Sequence, residues 1–300
     1  MFIALAFVGK LPKYIEESIH QIRCYYDGDI YLIINDINSI FINNILKYNI
    51  KIIDYKDVYN EQFLTNVNNN IRKFVIVNNL IGREQLFIRS FERFFLLYNL
   101  MKNNNLTDCL FLELDNLIYD DPINWIHQFS KSELCYMFDN YDRYSSGIMY
   151  IKNYQALDGF LNEINYFINT NKGFMTEMTV LSIYYEKNKS KVQILPTYWK
   201  DNNVPFETYL NYDYYNDSLF DALAIGCNLL GIDPIHTGGI IKKNQKAEWC
   251  AIDYTKLKFE WKYDDKNRKK PYVWNGSKWL LINNLHVHGK NLVEGISRPL

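Results

Sequence analysis

Along the first hundred residues, short continuous apolar runs alternate with stretches in which apolar positions recur every three or four residues. Runs of the first kind suit strands buried on both faces, and the second kind suits amphipathic helices. Together they predict βαβ units with helices packed on a sheet. Ile3 to Val8 is one such run, broken by Gly9 and Pro12. Ile15, Ile19, Ile22 and Tyr26 follow at helical spacing until Asp27-Gly28 marks a turn. Ile30 to Ile34 predicts a second strand ending at Asn35-Asp36, a helix follows through Leu46, and Ile50 to Ile53 predicts a third strand ending at Asp54. Sheets of this layout bind nucleotides at the carboxyl ends of their strands. Phe7, Val8, Gly9, Asp36 and Asp54 are therefore nucleotide-side candidates, although residues at such points serve equally as turn and cap residues.

Residues 66–83 are rich in Asn and show no usable period, after which Gln85 to Lys102 predicts a long amphipathic helix carrying Arg93. Cys109 to Leu112 predicts another strand, and its exit reads Glu113-Leu114-Asp115-Asn116. On an extended chain, residues two apart face the same side, so Glu113 and Asp115 would present paired carboxylates at the edge of the nucleotide cleft. Two like charges so close need a counter-charge, which a divalent cation supplies. Such an ion bridges the phosphates of a nucleoside diphosphate and stabilises charge building on a leaving group.

Composition narrows the options. Hydrophobic residues make up 48% of the 300-residue chain, with 25 Tyr and 18 Phe, which excludes a disordered or fibrous chain. The formal charge of -1, with both signs interspersed, argues against a nucleic-acid or anionic-membrane partner. The five cysteines form no CxxC pair and read as reduced thiols. The start, MFIALAFVGK, lacks a basic segment and a small-residue cleavage site, so it reads as a strand rather than a signal peptide. No apolar run approaches the roughly 20 residues of a membrane helix. The expected location is a cytoplasm, microbial or host.

FLELDNLIY resembles the D-x-D region of GT-A glycosyltransferases, in the E-x-D-N form of a bacterial and large-virus glycosyltransferase-like set. The resemblance implies a GT-A fold: one α/β domain with a mixed central sheet and helices on both faces. Residues 1–150 would be the nucleotide-sugar-binding half. Residues 151–300 would be the acceptor-binding half with a C-terminal metal and phosphate segment, sharing the sheet. Asp115 would be the main metal ligand, Glu113 would lie near the metal and ribose, and Asn116 would fall on the donor side. Arg93 stands at the interval where glycogenin-like enzymes place an arginine near the donor diphosphate; a helix ion pair with Glu92 or Glu84 fits the spacing equally.

Tyr144 to Ile151 resembles the strand in which small residues, here Ser146 and Gly147, let the donor sugar lie against backbone, and Asp139 and Asp142 just before it are candidates for its hydroxyls. Glu177 matches an acidic residue that opens a helix beside the reaction centre, where it would act as base or steady an oxocarbenium-like centre. The stretch NDSLFDALAIGCNLLGIDP resembles the set's DAAAIGQYLGGVDP, departing from it at Cys227 and Leu230, and makes Asp221 and Asp233 acceptor-side candidates that also read as cap and turn. Four tyrosines between Tyr209 and Tyr215 form either a sugar platform or a core edge. The ending NNLHVHGKNL resembles NNLHIHSKNL; by that match His286 is the third metal ligand and Lys290 a diphosphate contact, although Leu292 occupies the glycogenin-like position of the lysine. If this ending is a strand, His286 and His288 share a face and either can bind.

The implied enzyme moves a sugar from a nucleotide-diphosphate sugar, UDP-sugar first among them, to a glycan, protein or lipid acceptor with Mn²⁺ or Mg²⁺. Oligomeric state does not follow. One rival is a nucleotidyltransferase or sugar-nucleotide pyrophosphatase, disfavoured because no Gly-rich phosphate loop follows the first strand. The other is a non-catalytic glycan-binding protein or lapsed transferase, disfavoured because Glu113, Asp115 and His286 occur together.

Overall fold

The computed structural model describes residues 1–59, 61, 69–70, 84–170, 176–232 and 241–300. Asp233 and most of the Asn-rich segment lie outside the described residues. The chain opens with β1 (Phe2–Phe7), α1 (Ile15–Arg23), β2 (Ile30–Ile34), α2 (Ile42–Leu46), β3 (Lys51–Asp54) and the short α3 (Tyr55–Val58). The predicted strands fall within a residue of these. The helix expected directly after β2 starts only at Ile42, because Asn35 and Asp36 are committed to the loop: their side chains accept the backbone N–H groups of Gly9 and Leu11 at 2.7 and 3.1 Å.

Next come α4 (Glu84–Asn103), β4 (Cys109–Leu112), β5 (Asn116–Ile118), β6 (Leu134–Asn140), β7 (Arg143–Ile151), α5 (Tyr154–Thr170), α6 (Glu177–Lys187) and β8 (Val192–Leu195). Seven strands form one sheet in the order β3-β2-β1-β4-β7-β6-β8. The four from β3 to β4 run parallel, β7 runs antiparallel to both its neighbours, and β8 pairs parallel with β6. The sheet is therefore mixed, as expected.

Strand alternation divides the core between the two faces. Ile3, Leu5, Ile30, Leu32, Leu110 and Leu112 join the cluster that includes Ile15, Ile19 and Ile22 of α1. The intervening Phe2, Ala4, Tyr31, Ile33, Cys109 and Phe111 join a second cluster with α4, α5 and α6. Both faces are covered, which is why the strands read as unbroken apolar runs.

The remainder folds against the first face. It comprises β9 (Ser218–Leu219), α7 (Ala224–Leu230), β10 (Phe259–Tyr263), β11 (Lys269–Trp274), β12 (Trp279–Ile282) and β13 (Asn284–His286). Strands β10-β11-β12-β9 form a second sheet, so among the described residues after 151 only β8 joins the large one. β13 pairs antiparallel with β5, setting His286 opposite Asn116. That pairing ties the chain's end to the exit of β4. Among the described residues, no helix is long and apolar enough to cross a membrane.

Phe94 of α4 is fully buried, 6.2 Å from the Phe111 ring and 5.0 Å from a perpendicular Phe160. Phe94→Ala should cost about 3–5 kcal/mol by urea denaturation, with the denaturant slope unchanged. A loss below about 1 kcal/mol would mean that α4 is not packed on this face as described.

Candidate functional site

The acidic exit of β4 is a turn. The chain leaves the strand at Leu112, and the Asn116 N–H closes back on the Glu113 carbonyl at 2.9 Å. The turn is fixed from both sides, since Glu113 N–H donates to the Gly147 carbonyl (3.0 Å) and the Asp115 carbonyl accepts from Val287 (2.7 Å). The expected convergence of the two carboxylates therefore comes from a turn clamped between β7 and β13, and strand alternation plays no part in it.

His286 closes the group. Its Nε2 lies 3.1 Å from Glu113 Oε2 and 3.7 Å from Asp115 Oδ1. Its Nδ1–H donates to the Ala222 carbonyl at 3.2 Å, which aims Nε2 at the carboxylates. Potential ligand atoms of Glu113, Asp115 and His286 all lie within 4.8 Å of one another. Burial disfavours ionisation of Glu113, but the Arg93 guanidinium and His286 outweigh it and hold the carboxyl well below the usual range. The same pairing keeps His286 above its ordinary value, against the effect of burial.

Arg93 reaches from α4 into this group. It ion-pairs with Glu113, and its Nη2 donates to Ser146 Oγ at 2.9 Å and to Glu177 Oε1 at 3.0 Å. The helix ion pair with Glu92 open to it in sequence does not form, because Glu92 is taken by Arg89 and the Tyr55 hydroxyl; the side chain of Glu84, the other partner the spacing allowed, lies outside the described residues. Glu177 opens α6, capped by Thr176, whose hydroxyl accepts the Thr179 N–H at 3.3 Å. Lys290 ion-pairs with Asp115. Gly147 belongs here for space: a Cβ would stand 2.7 Å from Asn116 Nδ2 and 2.9 Å from His286 Nδ1.

These groups line a cleft of about 720 Å³ with Arg93, Glu113, Asp115, Ser146, Glu177, His286, His288 and Lys290 on its walls. An adjoining hollow of about 200 Å³ shares Arg93, Glu113, Asp115 and Lys290 and adds Phe7 and Val8. Gly9 and Asp36 line a different hollow, where Asp36 holds a loop N–H, and Asp54 caps α3 by accepting Lys56 N–H at 3.0 Å. The structure thus gives Asp36 and Asp54 turn and cap roles and does not bring them to the carboxylates.

Other candidates shift as well. β13 ends at His286, and the His288 N–H folds back onto the His286 carbonyl at 3.0 Å, so the two rings do not alternate along a strand. His288 still borders the cleft, its ring centroid 6.2 Å from Trp249. Asp221 is 1% exposed and accepts from the backbone N–H groups of Ile225 (2.9 Å), Gly226 (2.8 Å) and His286 (2.9 Å). Burial pushes its carboxyl up to about 6, against those three donors. With both oxygens engaged, it positions His286 and α7 and is not placed to meet an acceptor. Asn116 is buried and accepts from Asn284 at 2.9 Å; Asn284 also clasps Asp221 through that residue's N–H and carbonyl, both at 3.0 Å.

Asp139 is buried against Arg143, Asp142 lies in the hairpin turn, and Tyr212 and Tyr215 are core residues, which favours the core-edge reading of the tyrosine cluster. The sequence reading assigned no role to Arg143, Trp249 or Asn284. For Asn284 the available signal was a pair of amides directly before a strand.

No family model and no curated protein matches the sequence. Among solved structures, the chain is similar to apo mouse xyloside xylosyltransferase 1, at 9% identity and a TM-score of 0.43 over 65% of this chain and 84% of that one. It is also similar to the glycosyltransferase GlyE of Streptococcus pneumoniae TIGR4, at 15% identity and a TM-score of 0.39 over 71% of this chain, spanning about half (48%) of that one. A third is the galactosyltransferase LgtC in complex with donor and acceptor sugar analogues, at 14% identity and a TM-score of 0.40, over 65% and 73%.

A Cβ on Gly226 would overlap the His286 carbonyl oxygen, so Gly226→Ala must push β13 away from α7. A loss of at least about 1–3 kcal/mol is expected in urea denaturation. A variant as stable as the parent would show that these elements are not in contact.

Proposed function

We propose that this chain is a metal-dependent glycosyltransferase of the GT-A type, transferring a sugar from a nucleotide-diphosphate sugar to a glycan or glycoconjugate. The observation that carries the reading is the convergence of Glu113, Asp115 and His286 at the exit of a central strand, with Arg93 and Lys290 beside them. The donor set suits Mn²⁺ or Mg²⁺: two carboxylates supply hard oxygens, and the imidazole is held by the Ala222 carbonyl in the tautomer that leaves Nε2 for an ion. Such an ion, when bound, supplies Lewis-acid stabilisation of the departing nucleoside diphosphate.

The chain's own residues account for the rest of the reading. Arg93 and Lys290 now balance the two carboxylates, and in the loaded site their charge faces a diphosphate. Phe7 and Val8 wall the hollow next to that point, on the side suited to the nucleoside. Ser146 and Gly147 offer a low wall against which a sugar ring can lie. Glu177, held by Arg93 on the same cleft, is positioned to stabilise positive charge at the anomeric carbon. Asp221 and Asn284 keep His286 in place. The nucleotidyltransferase and pyrophosphatase alternative gains nothing from the loop after β1, whose one glycine is followed by Lys10, Leu11 and Pro12.

The test is a thermal shift of the full chain against UDP, GDP, ADP and UDP-sugars, with and without Mn²⁺. A ligand at 100 times its Kd stabilises by about 2.7 kcal/mol. One nucleotide is expected to raise Tm only when Mn²⁺ is present, and Asp115→Asn should erase that shift and lower turnover about 100-fold or more. A metal-dependent shift that survives in Asp115→Asn would overturn the assignment of the ion to this site, and an absence of turnover even with Mn²⁺ present, with glycan binding intact, would favour the lapsed-transferase reading.

Lys290→Ala separates the two charges. Nucleoside diphosphate affinity should fall roughly tenfold while Mn²⁺ binding measured alone is retained. Loss of Mn²⁺ binding in this variant would place Lys290 among the groups that build the metal site.

A further inference from the structure

We propose that Trp249 and Arg143 form a subsite for a neutral pyranose ring of the acceptor. The proposal rests on the transferase reading of the neighbouring carboxylates and adds to it the substrate class at the other end of the cleft. The two hollows meet at Arg93, Glu113, Asp115 and Lys290. Phe7 and Val8 belong to the smaller hollow; Arg143, Leu223, Trp249 and His288 belong to the larger one. With the diphosphate at the junction and the nucleoside beside Phe7, the larger hollow is left for the sugar and its acceptor.

The backbone of Trp249 is fastened on that wall. Its carbonyl accepts from Asn140 Nδ2 at 2.7 Å and from Arg143 Nη2 at 3.4 Å, and the neighbouring Ala251 N–H donates to the Asp139 carbonyl at 3.1 Å. The loop is thereby fastened to the β6–β7 hairpin through its backbone. The indole borders the cleft beside His288, their rings tilted at 57°. A half-buried indole on a fastened backbone complements the C–H face of a pyranose, and with two side-chain torsions it costs little conformational entropy to use.

Charge narrows the class further. Arg143 is ion-paired with Asp139, its Nε donating at 2.7 Å to a carboxylate that is 2% exposed. The pair is neutral as a unit, so Arg143 brings N–H donors to the cleft without net positive charge. Donors of that kind suit vicinal hydroxyls, while a uronate or phosphorylated sugar gains no net attraction there.

The test is isothermal titration of lactose, maltose, cellobiose and N,N′-diacetylchitobiose into the full chain, with a hyaluronan disaccharide as the anionic counterpart, in the presence and absence of UDP and Mn²⁺. At least one neutral disaccharide should bind more tightly than the anionic one. Trp249→Ala should weaken that binding roughly tenfold or more, Trp249→Leu should do the same while keeping apolar bulk, and Trp249→Phe should stay within about threefold of the parent. The UDP and Mn²⁺ thermal shift should be the same in all of them. The proposal is overturned if no neutral disaccharide binds, if the anionic one is preferred, or if the leucine variant binds as the parent does. Absence of a Mn²⁺-dependent shift with every one of UDP, GDP, ADP and the UDP-sugars in the parent counts against the transferase reading instead, and the titrations without nucleotide still decide the subsite.

Discussion

Two carboxylates two residues apart, on a largely buried turn at the edge of a cleft, must find positive charge, and a large part of the chain is arranged around that requirement. Arg93 comes from a helix on one face of the main sheet; His286 and Lys290 come from the chain's last segment on the other. Each supplies a cation or a donor to Glu113 or Asp115. Removing Arg93 or His286, the two largely buried partners, would leave carboxylate charge uncompensated at a cost of up to about 3–5 kcal/mol, whereas the more exposed Lys290 is screened by water and contributes less. The β5–β13 pairing is the mechanical expression of the same need, since it is what holds His286 at the turn.

Behind the charged group stands a layer of buried polar residues joined by hydrogen bonds within the protein, with Asn116 Nδ2 left without a partner among the described residues. Asp221 spends both oxygens on backbone N–H groups, and Asn284 joins Asp221 to Asn116. This arrangement explains why Asp221 read from sequence as a reagent: an acidic residue ahead of a helix looks the same whether it faces substrate or caps the helix from inside. Burial is the deciding quantity, and a single sequence does not carry it. The glycines report the same closeness from the opposite side, for Gly147 and Gly226 leave only the space that the His286 imidazole and its backbone fill.

The legible parts of the chain were those in which one physical cause writes a local pattern. Strands covered on both faces must be apolar at every position, so β1, β2 and β4 stood out, and the long α4 showed its helical period. Glu113, Asp115 and His286 were legible as residue types, through the need of paired carboxylates for a cation and through the resemblance of their surroundings to a known set. Their geometry was not. The turn at Glu113 depends on hydrogen bonds to Gly147 and Val287, both distant in sequence. The end of β13 at His286 likewise depends on how the chain meets the turn, and a two-residue alternation could not foresee it. The second sheet escaped because β10 and β11 mix charged residues with aromatics and are buried at only a few positions, which gives neither a continuous run nor a helical period.

The electrostatic contrast along the cleft follows from how each arginine is paired. Arg93 serves Glu113 and Glu177 together, two carboxylates that border open space, so its neighbourhood remains receptive to added positive charge. Arg143 serves Asp139, whose carboxylate is sealed beneath the hairpin and offers nothing to the cleft. One end is therefore built to exchange ions, and the other presents donors and an aromatic face with its charge already settled. On the proposed function, a ligand spanning both would be anionic at one end, where a cation would join it to the carboxylates, and neutral at the other, which is the charge distribution of a nucleoside diphosphate joined to a sugar and meeting an uncharged glycan.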